Sequence, residues 1–177
     1  MKRYLLTAGL FFAMAIIAAH FFAPRGYRIA NKTISDLASQ GHSQKWIMQG
    51  GFTGFGILVA AGIAWKYLAI LIYGLSILIT GIFCTIPNQV GTAYSVKESQ
   101  LHSLFAFGAG LALIAGILIV ILQTAENRWI HVGFLLGISL ISLAFGLAES
   151  GILVIGTGLI QLALYLVSFI WLVLYYI

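Results

Sequence analysis

Apolar residues run along this chain in stretches far longer than a soluble helix or strand needs, and the polar positions that interrupt them recur at nearly regular intervals. A helix needs about 20 apolar residues to cross a hydrocarbon core. Six stretches meet that standard: residues 4–23, 46–64, 68–86, 101–123, 129–148 and 151–175. None alternates polar and apolar positions as a membrane strand does. In lipid a span must satisfy its own backbone hydrogen bonds, so each stretch is predicted as a helix. The expected fold class is an all-α integral membrane protein, a single domain over residues 1–177 with six transmembrane helices in one bundle and both termini on one side. The run after Met1-Lys2-Arg3 resembles a signal peptide, but it continues to about Phe22 and Ala18-Ala19 is a poor cleavage site, so it reads as a retained first helix.

Three connections are tight, marked by Lys66, by Glu126 with Arg128, and by Glu149; two are longer, residues 24–45 and 87–100, on the face opposite the termini. Trp65, Tyr67, Trp129, Trp171, Tyr175 and Tyr176 are placed in an aromatic belt at the terminal face, and Tyr27, Trp46 and Tyr94 at the other. Basic residues divide almost evenly between the faces, so orientation rests on Lys2 and Arg3, which put the termini in the cytoplasm of a cell (inner) membrane protein. Within the first long loop, Thr33-Ile34-Ser35-Asp36 fits a capping box and Gly41 a helix C-cap. The loop is therefore expected to hold a short interfacial helix lying on the membrane surface.

Composition strengthens the membrane reading and removes one class of partner. Hydrophobic residues make up 62% of the chain and charged residues 7%, against roughly 25% charged in a soluble domain. The net charge of +5 would suggest nucleic acid in a soluble protein. Here the charges sit at helix ends, so the expected partners are the lipid bilayer and anionic lipid headgroups, with no nucleic acid. Cys84 is the one cysteine, which excludes an internal disulfide and any multi-cysteine metal site, and its apolar neighbours indicate a packed thiol.

Candidate chemistry gathers on the long-loop face. No Asp, Glu, Lys or Arg lies mid-span, which argues against an ion-coupled transporter; Gln161, the largest mid-span polar group, is expected to bond another helix. Arg25, Arg28, Ser35, Asp36, Lys45, Asn88 and His102 are the expected lining of a pocket for a lipid headgroup or small polar ligand. Glu98 and His102 are four residues apart and so share a helix face. With Asp36 they are the candidate catalytic groups and metal ligands of an alternative reading, a membrane-embedded, metal-dependent hydrolase. No cofactor is implied. A third reading is a small transporter of inverted three-helix repeats, because Lys45-Trp46-Ile47-x-x-Gly50-x-x-x-Gly54 matches Arg128-Trp129-Ile130-x-x-Gly133-x-x-x-Gly137. Gly50, Gly54, Gly133 and Gly137 are expected at helix–helix contacts.

The run Asn31-Lys-Thr-Ile-Ser35-Asp36-Leu37-Ala38-Ser39-Gln-Gly41, followed by Trp46 and a glycine-rich second helix, resembles the domain-of-unknown-function 998 family of prokaryotic membrane proteins. Pro87 and His102 match that family's proline ending the third helix and histidine starting the fourth, while Asn88 and Gln89 stand where an aspartate often follows the proline. The resemblance implies a six-helix fold with Ser35, Asp36, Pro87 and His102 on one face, and it implies no particular activity.

Overall fold

Each apolar stretch contains one α-helix: α1 (Lys2–Phe21), α2 (Lys45–Gly62), α3 (Leu68–Ile82), α4 (Val96–Gln123), α5 (Arg128–Glu149) and α6 (Thr157–Tyr176). The computed structural model describes residues 2–63, 67–89 and 91–176; Trp65 and Lys66, and the side chains of Lys2 and Tyr176, lie outside the described residues. Four segments are long and apolar enough to cross a membrane: Arg3–Phe21, Val96–Gln123, Arg128–Glu149 and Thr157–Tyr175. Each helix packs on its sequence neighbour, and α6 closes back on α1.

Aromatic rings fill the middle of this ring of helices. Phe12 of α1 lies 5.0 Å from both Phe55 of α2 and Tyr165 of α6, and 5.5 Å from Phe52 of α2. Such tilted pairs put the positive edge of one ring near the negative face of another. Helix α2 sits deepest, with Met48, Phe52 and Val59 fully buried, whereas α5 buries only His131 and Ile138 and packs mainly on α4 and α6. The two matching sequence segments that open α2 and α5 therefore occupy unlike positions, one central and one peripheral.

Several boundaries differ from those read off hydropathy. Helix α3 stops at Ile82, five residues before Pro87, because the following backbone turns extended at Phe83. Helix α4 starts at Val96, before the apolar run, where Ser95 serves as N-cap and its hydroxyl accepts from the Glu98 N–H at 3.3 Å. Residues 151–156 are not helical: Gly151 has φ +76°, and Val154 is 99% exposed in an apolar loop. Hydropathy does not distinguish an apolar loop from the helix it leads into. Trp171 is not a belt residue, for it is 1% exposed and its indole N–H donates to His131 Nδ1 at 3.3 Å.

The short helix of the first loop exists, but as a 3₁₀-helix, Ile34–Ala38, inside the bundle rather than on its surface. Ile34, Leu37 and Ala38 are fully buried, and the helix packs on α1, α2 and α6. Its C-cap is Ser39; Gly41, expected in that role, lies two residues further on with φ +80°.

The glycine contacts also need correction. A Cβ on Gly54 would fall on the Phe11 ring, but one on Gly50, Gly133 or Gly137 would meet nothing within 4 Å. Those three are not at helix–helix contacts: Gly133 and Gly137 belong to the peripheral helix α5, and Gly50 points out of the bundle. Close approach occurs instead between α2 and α3, where a Cβ on Gly56 would strike the backbone of Leu78 and Gly74, and one on Gly81 the backbone of Thr53 and Gln49. Gly56→Ala and Gly81→Ala should each destabilise the detergent-solubilised protein by about 1–3 kcal/mol through overpacking. Gly50→Ala and Gly133→Ala should instead be neutral or stabilising by up to about 1 kcal/mol. Thermal unfolding of the four variants separates the two groups, and equal losses in all of them would refute this packing.

Candidate functional site

Backbone chemistry accounts for most polar side chains of the long-loop face. A five-residue 3₁₀-helix inside an apolar bundle leaves N–H groups at its start that water cannot reach. Thr33 and Asp36 supply a full capping box. The Asp36 Oδ2 accepts from the Thr33 N–H at 2.8 Å and from its hydroxyl at 3.0 Å, while Thr33 Oγ1 accepts from the Asp36 N–H at 3.2 Å. The next N–H, of Ile34, donates to Gln161 Oε1 at 2.7 Å, and Gln161 Nε2 donates to Ser35 Oγ at 3.2 Å. Gln161, expected mid-span, lies in the second turn of α6 and bonds the inserted loop rather than another long helix. Tyr27 donates to the Thr33 carbonyl at 3.2 Å. Burial, followed by the Asp36 charge, pushes the Tyr27 phenol far up, so it remains a donor.

Glu98 and His102 belong to a second backbone problem, the C-terminus of α3. His102, 4% exposed, places Nδ1 3.1 Å from the Thr80 carbonyl and 2.9 Å from that of Phe83, so Nδ1 carries the hydrogen. Gln49 of α2 donates to the Ile82 carbonyl at 3.3 Å, and Glu98 Oε1 accepts from the Cys84 N–H at 3.0 Å. Side chains from two neighbouring helices therefore satisfy the carbonyls that end α3. Asp36, Glu98 and His102 form no hydrogen bond with one another, and among the described residues no three His, Cys, Asp or Glu side chains converge as metal ligands. The expected catalytic or metal trio is resolved into one cap for the 3₁₀-helix and two for α3.

Gln40 and Asn88 join the two long loops. The Gln40 amide pairs with Ser95 as a strand neighbour would: its Nε2 donates to the Ser95 carbonyl at 2.9 Å and its Oε1 accepts the Ser95 N–H at 2.8 Å. The Gln40 N–H donates to the Thr85 carbonyl at 3.0 Å. Asn88 Nδ2 donates to the Asp36 carbonyl at 2.7 Å and to Ser39 Oγ at 3.0 Å, leaving its Oδ1 buried and without a donor. The sequence reading missed Gln40, Gln49 and Ser95. For Ser95 the signal was present, since Ser95-x-x-Glu98 is itself a capping-box pattern.

Between these loops lies a cavity of about 320 Å³, lined by residues 22–25, 39–44, 87–89 and Thr92. Of the expected pocket residues it contains Arg25 and Asn88. Ser35, Asp36 and His102 are not in its wall, because each is engaged in the packing just described, and Arg28 and Lys45 also lie outside it. Lys45 approaches the Cys84 thiol instead, and that thiol is 1% exposed. His42 joins the lining, and burial holds its imidazole below its usual pKa.

Substitutions can separate structural from catalytic roles. His102→Phe and Gln161→Leu each strip donors from buried acceptors, or an acceptor from a buried N–H, and should cost about 1–3 kcal/mol of unfolding free energy in detergent. Glu98→Gln keeps the Oε1 acceptor for Cys84 and should cost less than about 1 kcal/mol. Unaltered stability in His102→Phe would show that the imidazole does not hold the end of α3.

No curated protein and no solved structure matches the chain. The family model described as "Protein of unknown function (DUF998)" matches residues 6–177, and with nearly its whole length inside that match the chain belongs to this family.

Proposed function

We propose that this chain is a six-span inner-membrane protein that binds an anionic headgroup in the long-loop cavity. The observation that carries the reading is the composition of the cavity wall: among the described residues it includes Arg25 and no carboxylate. The nearby acids have other tasks, Asp36 capping the 3₁₀-helix and Glu98 accepting from Cys84. Arg28, Lys32 and Lys97 add to the positive field of the same face. Since His42 is held toward its neutral form, Arg25 is the cation of the wall at neutral pH. The volume is at the lower end of the range of about 300–1,000 Å³ usual for small-ligand sites, which suits a headgroup better than a whole lipid.

For six spans, α2 and α3 must cross with α1, α4, α5 and α6. Both are packed between α1 and α4, and their short connection requires them to run antiparallel. We place both termini in the cytoplasm.

Two measurements test the reading. Reporter fusions within residues 24–45 and at the C-terminus should give opposite locations, the C-terminal one cytoplasmic; agreement between them would overturn the six-span count. In lipid titrations of the purified protein, phosphatidylglycerol should raise the unfolding temperature more than phosphatidylcholine does. Arg25→Ala should weaken that binding by roughly 10- to 150-fold, the worth of a hydrogen bond to a charged group. Equal responses to the two lipids would refute the anionic-headgroup site.

A further inference from the structure

The cavity wall holds a second group able to carry positive charge, and that group bears on which anion belongs there; this inference rests on the anionic-headgroup reading above. His42 lines the cavity together with Arg25, in the segment that joins the 3₁₀-helix to α2. Its backbone is held in place, the N–H donating to the Ser39 carbonyl at 3.2 Å and the carbonyl accepting from Lys45 at 3.3 Å. Its imidazole is not. The other three histidines each engage a ring nitrogen inside the protein: His20 with the Ile16 carbonyl, His102 with the end of α3, His131 with Trp171. Among the described residues nothing bonds the His42 ring, and neither of its nitrogens is closed off from a water-sized group. No carboxylate is at hand to charge it, since Asp36 caps the 3₁₀-helix and Glu98 accepts from Cys84. Of the nearby cations, Arg25 shares the wall and Lys45 approaches the Cys84 thiol.

A phosphodiester carries one negative charge, which Arg25 matches by itself. A phosphomonoester carries a second acidic group, ionising near about pH 6, close to the ordinary histidine value of about 6.5. Opposite charges at close range favour one another's ionised forms. A monoester seated at Arg25 therefore draws a proton from solvent onto His42 and gains a second charge-assisted hydrogen bond. We propose that the cavity selects a phosphate monoester over a phosphodiester, with Arg25 and His42 together holding the phosphate. No bond of the ligand breaks; one proton is taken up with it. The sign of the pH dependence follows. Burial holds the imidazole low before binding and the bound anion raises it, so the His42 contribution is greatest on the acidic side. It is lost as pH rises through the value of the bound state.

The test uses the full-length protein in detergent, with affinities read by native mass spectrometry and by thermal shift between about pH 6 and about pH 8.5. The probes are phosphatidic acid (a monoester), phosphatidylglycerol (a diester), phosphatidylcholine and glycerol 3-phosphate. Near neutral pH, phosphatidic acid should bind about three- to tenfold more tightly than phosphatidylglycerol, the worth of one hydrogen bond. His42→Ala should remove most of that preference, whereas Arg25→Ala should weaken both lipids. The ratio of phosphatidic acid affinity in the unaltered chain to that in His42→Ala should fall toward one as pH rises. His42→Lys, a cation of fixed charge, should keep the preference and lose this pH dependence; if His42→Ala fails to fold, the flat profile of His42→Lys decides. Equal binding of phosphatidic acid and phosphatidylglycerol, or a preference that survives in His42→Ala, overturns the monoester inference while the anionic site stands. Should no anionic lipid exceed phosphatidylcholine, the underlying reading fails with it. Glycerol 3-phosphate binding as tightly as phosphatidic acid would support the monoester and overturn its lipid source.

Discussion

Backbone N–H and C=O groups need partners wherever water is absent, and this requirement organises the long-loop half of the molecule. The chain departs from helix twice within reach of the apolar bundle, at the 3₁₀-helix and at the end of α3. Each departure exposes donors or acceptors that would otherwise cost several kcal/mol apiece in a low-dielectric interior. Thr33, Asp36 and Gln161 answer the first; Gln49, Glu98 and His102 answer the second. Every one of these side chains looks like a site residue when judged by type alone. Their geometry assigns them to the backbone.

With the structural polar groups identified, the remaining ones stand out by contrast. Arg25, His42 and Asn88 line a cavity between two loops that are otherwise stitched together by paired amides. The stitching gives the cavity a fixed wall, because Gln40 ties the first loop to the N-cap of α4 while Asn88 ties the segment after α3 to the 3₁₀-helix. Ligand binding benefits from such preorganisation, since the ordering entropy of the loops is already committed in folding.

Much of the architecture was legible in the sequence because lipid imposes a simple length rule, and six apolar stretches announced six helices. The capping box at Thr33 and Asp36 was legible for the same local reason: it depends on residues three apart. What local pattern could not reveal was depth. Nothing in Ile34-Ser35-Asp36-Leu37-Ala38 says whether its apolar face meets lipid or the inside of the bundle. The answer lies in Gln161, 127 residues from Ile34. Glycine spacing misled in a similar way. The pattern at Gly133 and Gly137 fits close packing, but packing needs a facing helix, and α5 turns those positions away from its two neighbours. Gly56 and Gly81, with no such pattern between them, are pressed against the backbone of the facing helix. The cavity was half legible, since its basic residue was identifiable but its wall is assembled from segments far apart in sequence.

The bond from Ile34 to Gln161 also sets an order of events during synthesis. Chains emerge from the N-terminus first and early domains can fold as they appear, yet here the first loop cannot complete its hydrogen bonds until the sixth helix arrives. Until then the Ile34 N–H and the Ser35 hydroxyl have no Gln161 to meet, and the loop has reason to remain in the wet interfacial zone. Only with α6 in place are the polar groups of the loop fully paired, so the buried seat of the 3₁₀-helix depends on both ends of the chain.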